Sequence, residues 1–154
     1  MPLLGETGCR LAEIVGLRQE DIDSENDLIH IRPNSARRLK TGNNHKVLPL
    51  LKNAKLAMEK ALTNSDDYYL YPRYIWYGKC YAAHASNSLN KCFEKDLDGL
   101  TAHCPGHTFK DRLRTVGCPI NYINHICGWK SVNSIEIVTD RACATSFINR
   151  FEGI

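Results

Sequence analysis

Hydrophobic positions recur at helical spacing in several separated stretches of the chain. Leu11, Ile14 and Val15 form the apolar side of a first helix, and Leu17 continues that side past a glycine. Further segments with this period are 51–62, 86–95, 110–117 and 119–127. Because apolar residues three and four positions apart share one face of an α-helix, the pattern predicts a mainly helical protein.

A shorter region alternates between apolar and polar residues, which is typical of β-strands. Residues 28–32 and 45–50 show this alternation, and a basic stretch (37–40) and a turn (41–44) lie between them. We therefore expect a small three-stranded antiparallel sheet here, with Lys40 beside its last turn. The acidic residues 21–27 that precede it have the composition of a loop.

One segment, residues 68–81, is rich in aromatic side chains, with Arg73 and Lys79 among them. Aromatic residues mixed with basic ones can stack on nucleic-acid bases. The commoner explanation is a loop that packs against the protein's own core. The sequence leaves both explanations open.

Length and composition narrow the protein class. A chain of 154 residues fits one domain with a single core, and a formal net charge of +3 does not by itself imply a nucleic-acid partner. The seven cysteines form no Cys-x-x-Cys pair, and no signal peptide or long apolar run occurs, so we expect reduced thiols, a cytoplasmic location and no membrane association. A zinc site built from Cys92, Cys104, His103 or His107 would match no common ligand spacing.

Several side chains could carry chemistry. Arg10 lies at the start of a helix, where anions are favoured, and Lys40 on its hairpin could reach a bound phosphate. His103 precedes one helix and Trp129 follows the next, so the two could face one pocket. Each of these residues also has an ordinary explanation as a cap, a packing residue or a solvated charge.

Three separated pieces nevertheless fit one pattern. They are Thr7-Gly8-Cys9-Arg10 ahead of an apolar helix, Lys40-Thr41-Gly42 ahead of Val47-Leu48-Pro49-Leu50, and residues 100–131. In this order they resemble the catalytic domain of the tyrosine recombinases, the phage integrase family. The resemblance implies an α+β fold, mostly α-helical, with a small three-stranded antiparallel sheet. It implies a catalytic domain over residues 1–154, without the family's N-terminal DNA-binding domain.

The resemblance also implies a function in site-specific DNA recombination and integration, with no metal and no other cofactor. In this family a tyrosine attacks a DNA phosphate, two arginines stabilise the developing charge, and a lysine and a histidine move protons. By position, Arg10 resembles the first arginine, Lys40 the hairpin lysine and His103 the histidine of His-x-x-Arg. Trp129 occupies the position that supports the phosphate, and His107 is expected to be structural.

Two departures from the family pattern affect catalysis. Gly106 stands where the second arginine belongs, and Val138 stands where the nucleophilic tyrosine belongs. No tyrosine follows Tyr122, and we expect Lys110, Arg112 and Arg114 to face away from the site. The sequence thus predicts a family member that binds duplex DNA but is defective in strand cleavage.

The DNA-facing surface is expected to combine Arg10 with four further basic residues, which are Arg37, Arg38, Lys46 and Lys110. The resemblance also leads us to expect three further properties. They are assembly into a homo-oligomer on DNA, association with the nucleoid, and an origin in a prophage or other mobile element. One alternative is a non-catalytic DNA-binding regulator of recombination sites. Another is an unrelated helical interaction protein.

Overall fold

The structure, a computed structural model, describes residues 2–37, 45–65, 67–96 and 100–127. The helices are α1 (Pro2–Thr7), α2 (Leu11–Val15), α3 (Lys52–Thr63), α4 (Ala82–Asp96), α5 (Cys104–Thr115) and α6 (Ile120–Cys127). The strands are β1 (Ile22–Asp23), β2 (Leu28–Ile31), β3 (Lys46–Pro49), β4 (Ile75–Trp76) and β5 (Lys79–Cys80), with short 3₁₀ turns at Gln19–Asp21 and Pro72–Tyr74. The predicted α+β, mostly helical fold is confirmed. None of the helices in these ranges has the length and apolar character needed to cross a membrane.

The predicted three-stranded antiparallel sheet is present, in the order β1-β2-β3. Its first strand comes from the acidic segment that the sequence suggested was a loop. In β1, Ile22 pairs with Ile29 of β2, which in turn pairs with Leu48 of β3. A strand of two residues is too short to show alternation, which explains why the pattern did not reveal it.

The hydrophobic core has two parts. The main part joins α1, α2, the sheet and α3, and its buried members are Leu3, Leu4, Cys9, Ile14, Leu17, Ile29, Ile31, Leu48, Ala54, Met58 and Leu70. A smaller part lies between α5 and α6 and consists of Phe109, Leu113, Cys118, Ile123 and Cys127. Helix α1 contributes Leu3 and Leu4 to the main part, and α2 follows α1 after three residues.

Gly8 makes the contact between the α1–α2 turn and α5. Its φ of +62° lies in the left-handed region that favours glycine. A Cβ placed on Gly8 would lie 2.5 Å from Cδ1 of Phe109 and 3.2 Å from Sγ of Cys127. Only glycine permits this sharp turn beside α5, and the turn sets the position of Arg10 two residues later.

Helix α1 is also fixed against α3. The carboxylate of Glu6 accepts hydrogen bonds from the backbone N–H of Ala54 (2.7 Å) and from Nδ2 of Asn53 (2.7 Å). Backbone N–H groups in the first turn of a helix have no partner within the helix, so Glu6 acts as a cap from outside. The contact holds the segment that leads to Arg10.

Candidate functional site

A cavity of about 530 Å³ lies between the starts of α2, α4 and α5. Arg10, His103, Gly106 and His107 all line it. The structure thus brings Arg10 and His103 to one cavity, as the sequence predicts, with Gly106 in the wall. The predictions for Lys40, Trp129, Arg38 and Val138 lie outside the described residues.

Arg10 is held by a carboxylate from its own helix. It is the residue before α2, and its backbone N–H donates to Oε2 of Glu13 at 3.0 Å. Nη1 of Arg10 lies 3.4 Å from Oε1 of the same carboxylate, and about a third of the Arg10 side chain is exposed. Glu13 therefore orients the guanidinium group from one side while Arg10 lines the cavity. The sequence analysis did not single out Glu13, although a glutamate three residues after the residue that precedes a helix is a recognised signal of a helix start.

Glu13 in turn pairs with Lys46 in the interior. Nζ of Lys46 lies 3.1 Å from Oε2 of Glu13, and both side chains are buried. The prediction that Lys46 lies on a DNA-facing surface is therefore wrong. The cause is the pleat of β3, which turns Lys46 and Leu48 inwards and leaves Val47 on the outer face.

The same prediction is wrong for Arg37, which is 2% exposed. Its guanidinium donates to the backbone oxygens of Glu13 and Arg32 and lies 3.9 Å from Oδ2 of Asp21. Burial lowers the pKa of Arg37, although the carboxylates of Asp21 and Glu13 oppose that shift. Among the described residues, Nε of Arg37 has no hydrogen-bond partner. Arg37 therefore connects interior elements and cannot contact DNA from this position.

Asp21 completes this interior arrangement. Its side chain is fully buried, and Nε of Arg32 (2.9 Å) and Nη2 of Arg18 (3.3 Å) donate to it. Burial acts to raise the pKa of Asp21, but the hydrogen bonds from Arg18 and Arg32 outweigh burial and lower that pKa below its ordinary value. We call Glu13, Asp21, Arg37 and Lys46 together the interior charge cluster.

His103 lines the same cavity and lies directly before α5. The loop that carries it is tied to α4, because the backbone N–H of Ala102 donates to Oδ1 of Asn90 at 2.9 Å. Helix α5 begins at Cys104, so Gly106 and His107 lie in its first turn. Pro105 suits that turn, because the first helical N–H groups have no acceptor within the helix.

Gly106 leaves an open space in the wall. No heavy atom of the described residues lies within 4 Å of a Cβ built on it, apart from the glycine's own neighbours in the chain and helix. Lys110 follows one turn later, and residues four apart share a helix face. Burial raises the pKa of the Cys127 thiol at the cavity wall, and the charges of Lys46 and Lys110 oppose that shift. Lys110 therefore lies on the same face of α5 as Gly106.

The two arginines of α5 point elsewhere, as expected. Arg112 lines a different cavity, together with Pro2 and Pro105. Nη1 of Arg114 lies 3.4 Å from Oδ1 of Asp111 on the exposed side of the helix. In the described part of the chain, no group of three or more His, Cys, Asp or Glu side chains is arranged to hold a metal ion.

Sequence comparison identifies the family. The profile of the phage integrase family matches residues 1–143. The chain belongs to the phage integrase family. The resemblance inferred from the three motifs is thereby confirmed.

Related recombinases agree with this assignment. The tyrosine recombinase XerC of Corynebacterium glutamicum is 23% identical over 144 residues, which are 90% of this chain and 44% of that protein. The XerC of Chlamydia pneumoniae is 24% identical over 147 residues, which are 90% of this chain and 45% of that protein. This family member therefore spans about half the length of these relatives.

Solved structures show the same fold. XerA recombinase superposes with a TM-score of 0.67 at 20% identity, over 97% of this chain and 56% of that one. The Tn1549 transposon integrase, solved in complex with a circular intermediate DNA, superposes with a TM-score of 0.63 at 19% identity, over 96% of this chain and 51% of that one. The helices and small sheet of this family member are thus those of integrase and recombinase structures.

Proposed function

We propose that this chain binds duplex DNA as the catalytic part of a site-specific recombinase, and that it does not cleave the strand. The observation that carries the proposal is the shared cavity of Arg10 and His103. An arginine fork and an imidazole are groups that hold and protonate phosphate oxygens. The Tn1549 integrase, which has the same fold, was solved with circular intermediate DNA and with transposon right end DNA. Assembly on DNA as a homo-oligomer and an origin in a mobile element such as a prophage are parts of the same proposal.

In this proposal, a phosphate of the DNA backbone enters the cavity. Arg10 donates to its non-bridging oxygens while Glu13 keeps the guanidinium oriented, and His103 donates a hydrogen bond to another oxygen of the same phosphate. Lys40 and Trp129 complete the set by their sequence positions. Lys110 adds positive charge from the face of α5 that Gly106 leaves open. Of the four proposed DNA-binding residues, Arg38 and Lys110 remain in the proposal.

Strand cleavage fails for two independent reasons. Gly106 offers no donor to the transition state, and loss of one preorganised donor costs about 3 kcal/mol, or roughly a hundredfold in rate. Val138 has no hydroxyl, so the bond between a tyrosine oxygen and phosphorus cannot form. Both defects act on the same step, and we expect the repair of either one alone to restore little.

Duplex binding at low ionic strength is the first test. We expect weak binding that is largely indifferent to sequence and falls steeply with added salt, because bound phosphates release counterions. The substitution Arg10→Gln should weaken duplex binding about tenfold, as expected for a lost charge-assisted hydrogen bond. The matched control Arg114→Gln, on the exposed side of α5, should bind within about twofold of the unmodified chain. No binding to any duplex would contradict the proposal.

A nicked suicide duplex tests the absence of cleavage. The unmodified chain should form no covalent adduct that survives denaturing electrophoresis, and an adduct would show that the roles of Gly106 and Val138 are misassigned.

The alternative, a regulator that occupies recombination sites without cutting, predicts the same binding. The open space at Gly106 favours a recombinase by descent, because a Cβ at this position meets no described atom within 4 Å beyond the glycine's own chain and helix neighbours, so a side chain can begin there. The double change Gly106→Arg with Val138→Tyr should therefore yield a trace of adduct, and its complete absence would favour the regulator.

A further inference from the structure

The segment from Tyr68 to Phe93 has an unusual charge. It contains Arg73, Lys79 and Lys91 and no Asp or Glu. The whole chain has 20 Lys and Arg residues against 17 Asp and Glu residues, so this segment accounts for the entire formal net charge of +3 and the remainder is balanced. A surface formed by this segment is suited to a polyanion.

The structure divides the large apolar and aromatic residues of this segment into two groups. Leu70 is buried and Tyr71 is largely buried, and burial raises the pKa of Tyr71 to about 12. Further along, β4 and β5 form a two-stranded antiparallel hairpin with Tyr77 and Gly78 at its tip. We call residues 75–80 the aromatic hairpin. One part of the segment therefore packs on the core, and the other part protrudes.

Tyr77 contributes nothing to the fold that a smaller residue would not supply. Its side chain is 98% exposed, so it buries almost no apolar surface. Its φ is +49° and that of Gly78 is +68°, which is the geometry of a turn that prefers Asn-Gly. A bulky aromatic residue in the left-handed region costs energy, and such outliers concentrate at functional positions.

The base of the aromatic hairpin is firmly attached. The Trp76 ring lies 4.9 Å from the rings of both Tyr81 and His84, measured between centroids. The backbone N–H of Cys80 donates to the Ala36 oxygen at 2.9 Å. Tyr77 is therefore presented at the end of a fixed support, so little ordering is needed when a partner binds.

The aromatic hairpin is also continuous with the cavity. Helix α4 begins two residues after the hairpin ends, and Ala82, Ala83 and Ser86 line the cavity together with Arg10 and His103. DNA whose phosphate lay in that cavity would pass close to the hairpin. Lys79 is exposed on the second hairpin strand, where an ammonium group can pair with a neighbouring phosphate.

We propose that the aromatic hairpin is a second DNA contact, beside the phosphate site and separate from it. The Tyr77 ring enters a groove of the duplex and packs against sugar and base edges, and Lys79 pairs with a backbone phosphate. Apolar and aromatic side chains in a groove, flanked by basic residues, are a known mode of duplex binding. This inference rests on the proposed duplex-binding function. It adds the aromatic hairpin as a contact beside the cavity that holds the phosphate.

Two substitutions test the two contacts in the same duplex titration. Tyr77→Asn removes the ring and provides the Asn-Gly pair that this turn prefers, so the protein should unfold at the same or a higher temperature. It should bind duplex about tenfold more weakly, as expected for the loss of one aromatic contact, with an unchanged salt dependence. Lys79→Gln should weaken binding and lower the slope of log affinity against log salt by about 1.

Control substitutions lie on α3, where Leu56 and Lys52 are also exposed. Leu56→Gln and Lys52→Gln should bind as the unmodified chain does. If Tyr77→Asn and Lys79→Gln also bind normally while Arg10→Gln binds weakly, the hairpin contact is overturned and the proposed function stands. If the unmodified chain binds no duplex, the hairpin contact and the proposed duplex-binding function are both contradicted.

Discussion

The interior charge cluster and the first turn of α5 are both connected to Arg10, one through Glu13 and the other through the shared cavity, and they use polar residues in opposite ways. Glu13, Asp21, Arg37 and Lys46 are buried, and each lies within 4 Å of an opposite charge. His103 and His107 are exposed, and Gly106 borders open space. One region is fixed by mutual ion pairs, whereas the other has room to change.

If Gly106 marks a lost arginine, as we propose, this difference explains why that residue could be lost. Removal of a charge from the interior leaves its partner buried and uncompensated, which is strongly destabilising. A Cβ at position 106 meets no described atom within 4 Å beyond its own chain and helix neighbours, so no packing contact among the described residues requires a side chain there. Under the proposal, an arginine at this position could therefore be lost at little cost in stability, whereas the charges that hold Arg10 could not.

The largest expected effect lies at the turn that joins the two regions. Gly8→Ala would bring a Cβ to 2.5 Å from the Phe109 ring at a φ of +62°, and we expect it to lower the free energy of unfolding by about 4 kcal/mol. Gly117→Ala is the matched control, with a φ of +76° and no described atom within 4 Å of the added Cβ beyond its immediate neighbours. It should cost about 1 kcal/mol in urea unfolding. Equal losses for the two variants would show that the contact with Phe109 is unimportant.

The second-largest loss of stability is expected for Asp21→Asn. It leaves the buried Arg37 without its carboxylate, and we expect a loss of about 3 kcal/mol at neutral pH. Because the pKa of Asp21 in the folded state lies below its ordinary value of 3.8, its stabilisation is complete above that pH and is lost as pH falls through the folded-state pKa. Urea unfolding across the acid range should show this loss in the unmodified chain, and Asp21→Asn should lack it. The same pH slope in both proteins would assign the effect to other carboxylates.

Two lysine variants distinguish the effect of an interior charge on stability from the effect of a charge near the cavity on duplex binding. Lys46→Met should lower the free energy of unfolding by about 2 kcal/mol, because Glu13 loses a buried partner but keeps Arg10. Lys110→Gln should cost less than about 1 kcal/mol yet lower the salt slope of duplex binding by about 1. Chemical unfolding and duplex titration of both variants check this contrast. A normal salt slope for Lys110→Gln would remove Lys110 from the proposed DNA surface.

The smallest effect on stability is expected at the open wall. Gly106→Arg replaces a glycine in the first turn of α5 with a better helix former, and because a positive charge near a helix N-terminus opposes part of that gain, we expect the free energy of unfolding to rise by only about 0.5 kcal/mol. Duplex affinity should rise, because the guanidinium adds a phosphate donor. Gly106→Ala is the control, since it should give the gain in stability without the gain in affinity. Destabilisation by either change would mean that the wall is not open.

The sequence by itself determined the family and the outline of the site. The three ordered motifs were enough to predict a mostly helical α+β domain with a small sheet, because helical periodicity and glycine-containing turns are local properties. The same motifs predicted that Arg10 and His103 belong together and that Gly106 marks a missing arginine. The protruding tip at Tyr77-Gly78 also had a local signal, since glycine follows an aromatic residue between two short apolar stretches.

Only the tertiary structure decided which basic residues face a partner. Arg37, Lys46 and Lys110 look alike in the sequence, yet the first two are buried against Asp21 and Glu13 while Lys110 lies on the face of Gly106. Likewise, packing decided that Leu70 lies inside and Tyr77 outside. The physical reason is that burial of a charge depends on partners far away in the chain, such as Lys46 for Glu13, and no local pattern encodes where those partners meet.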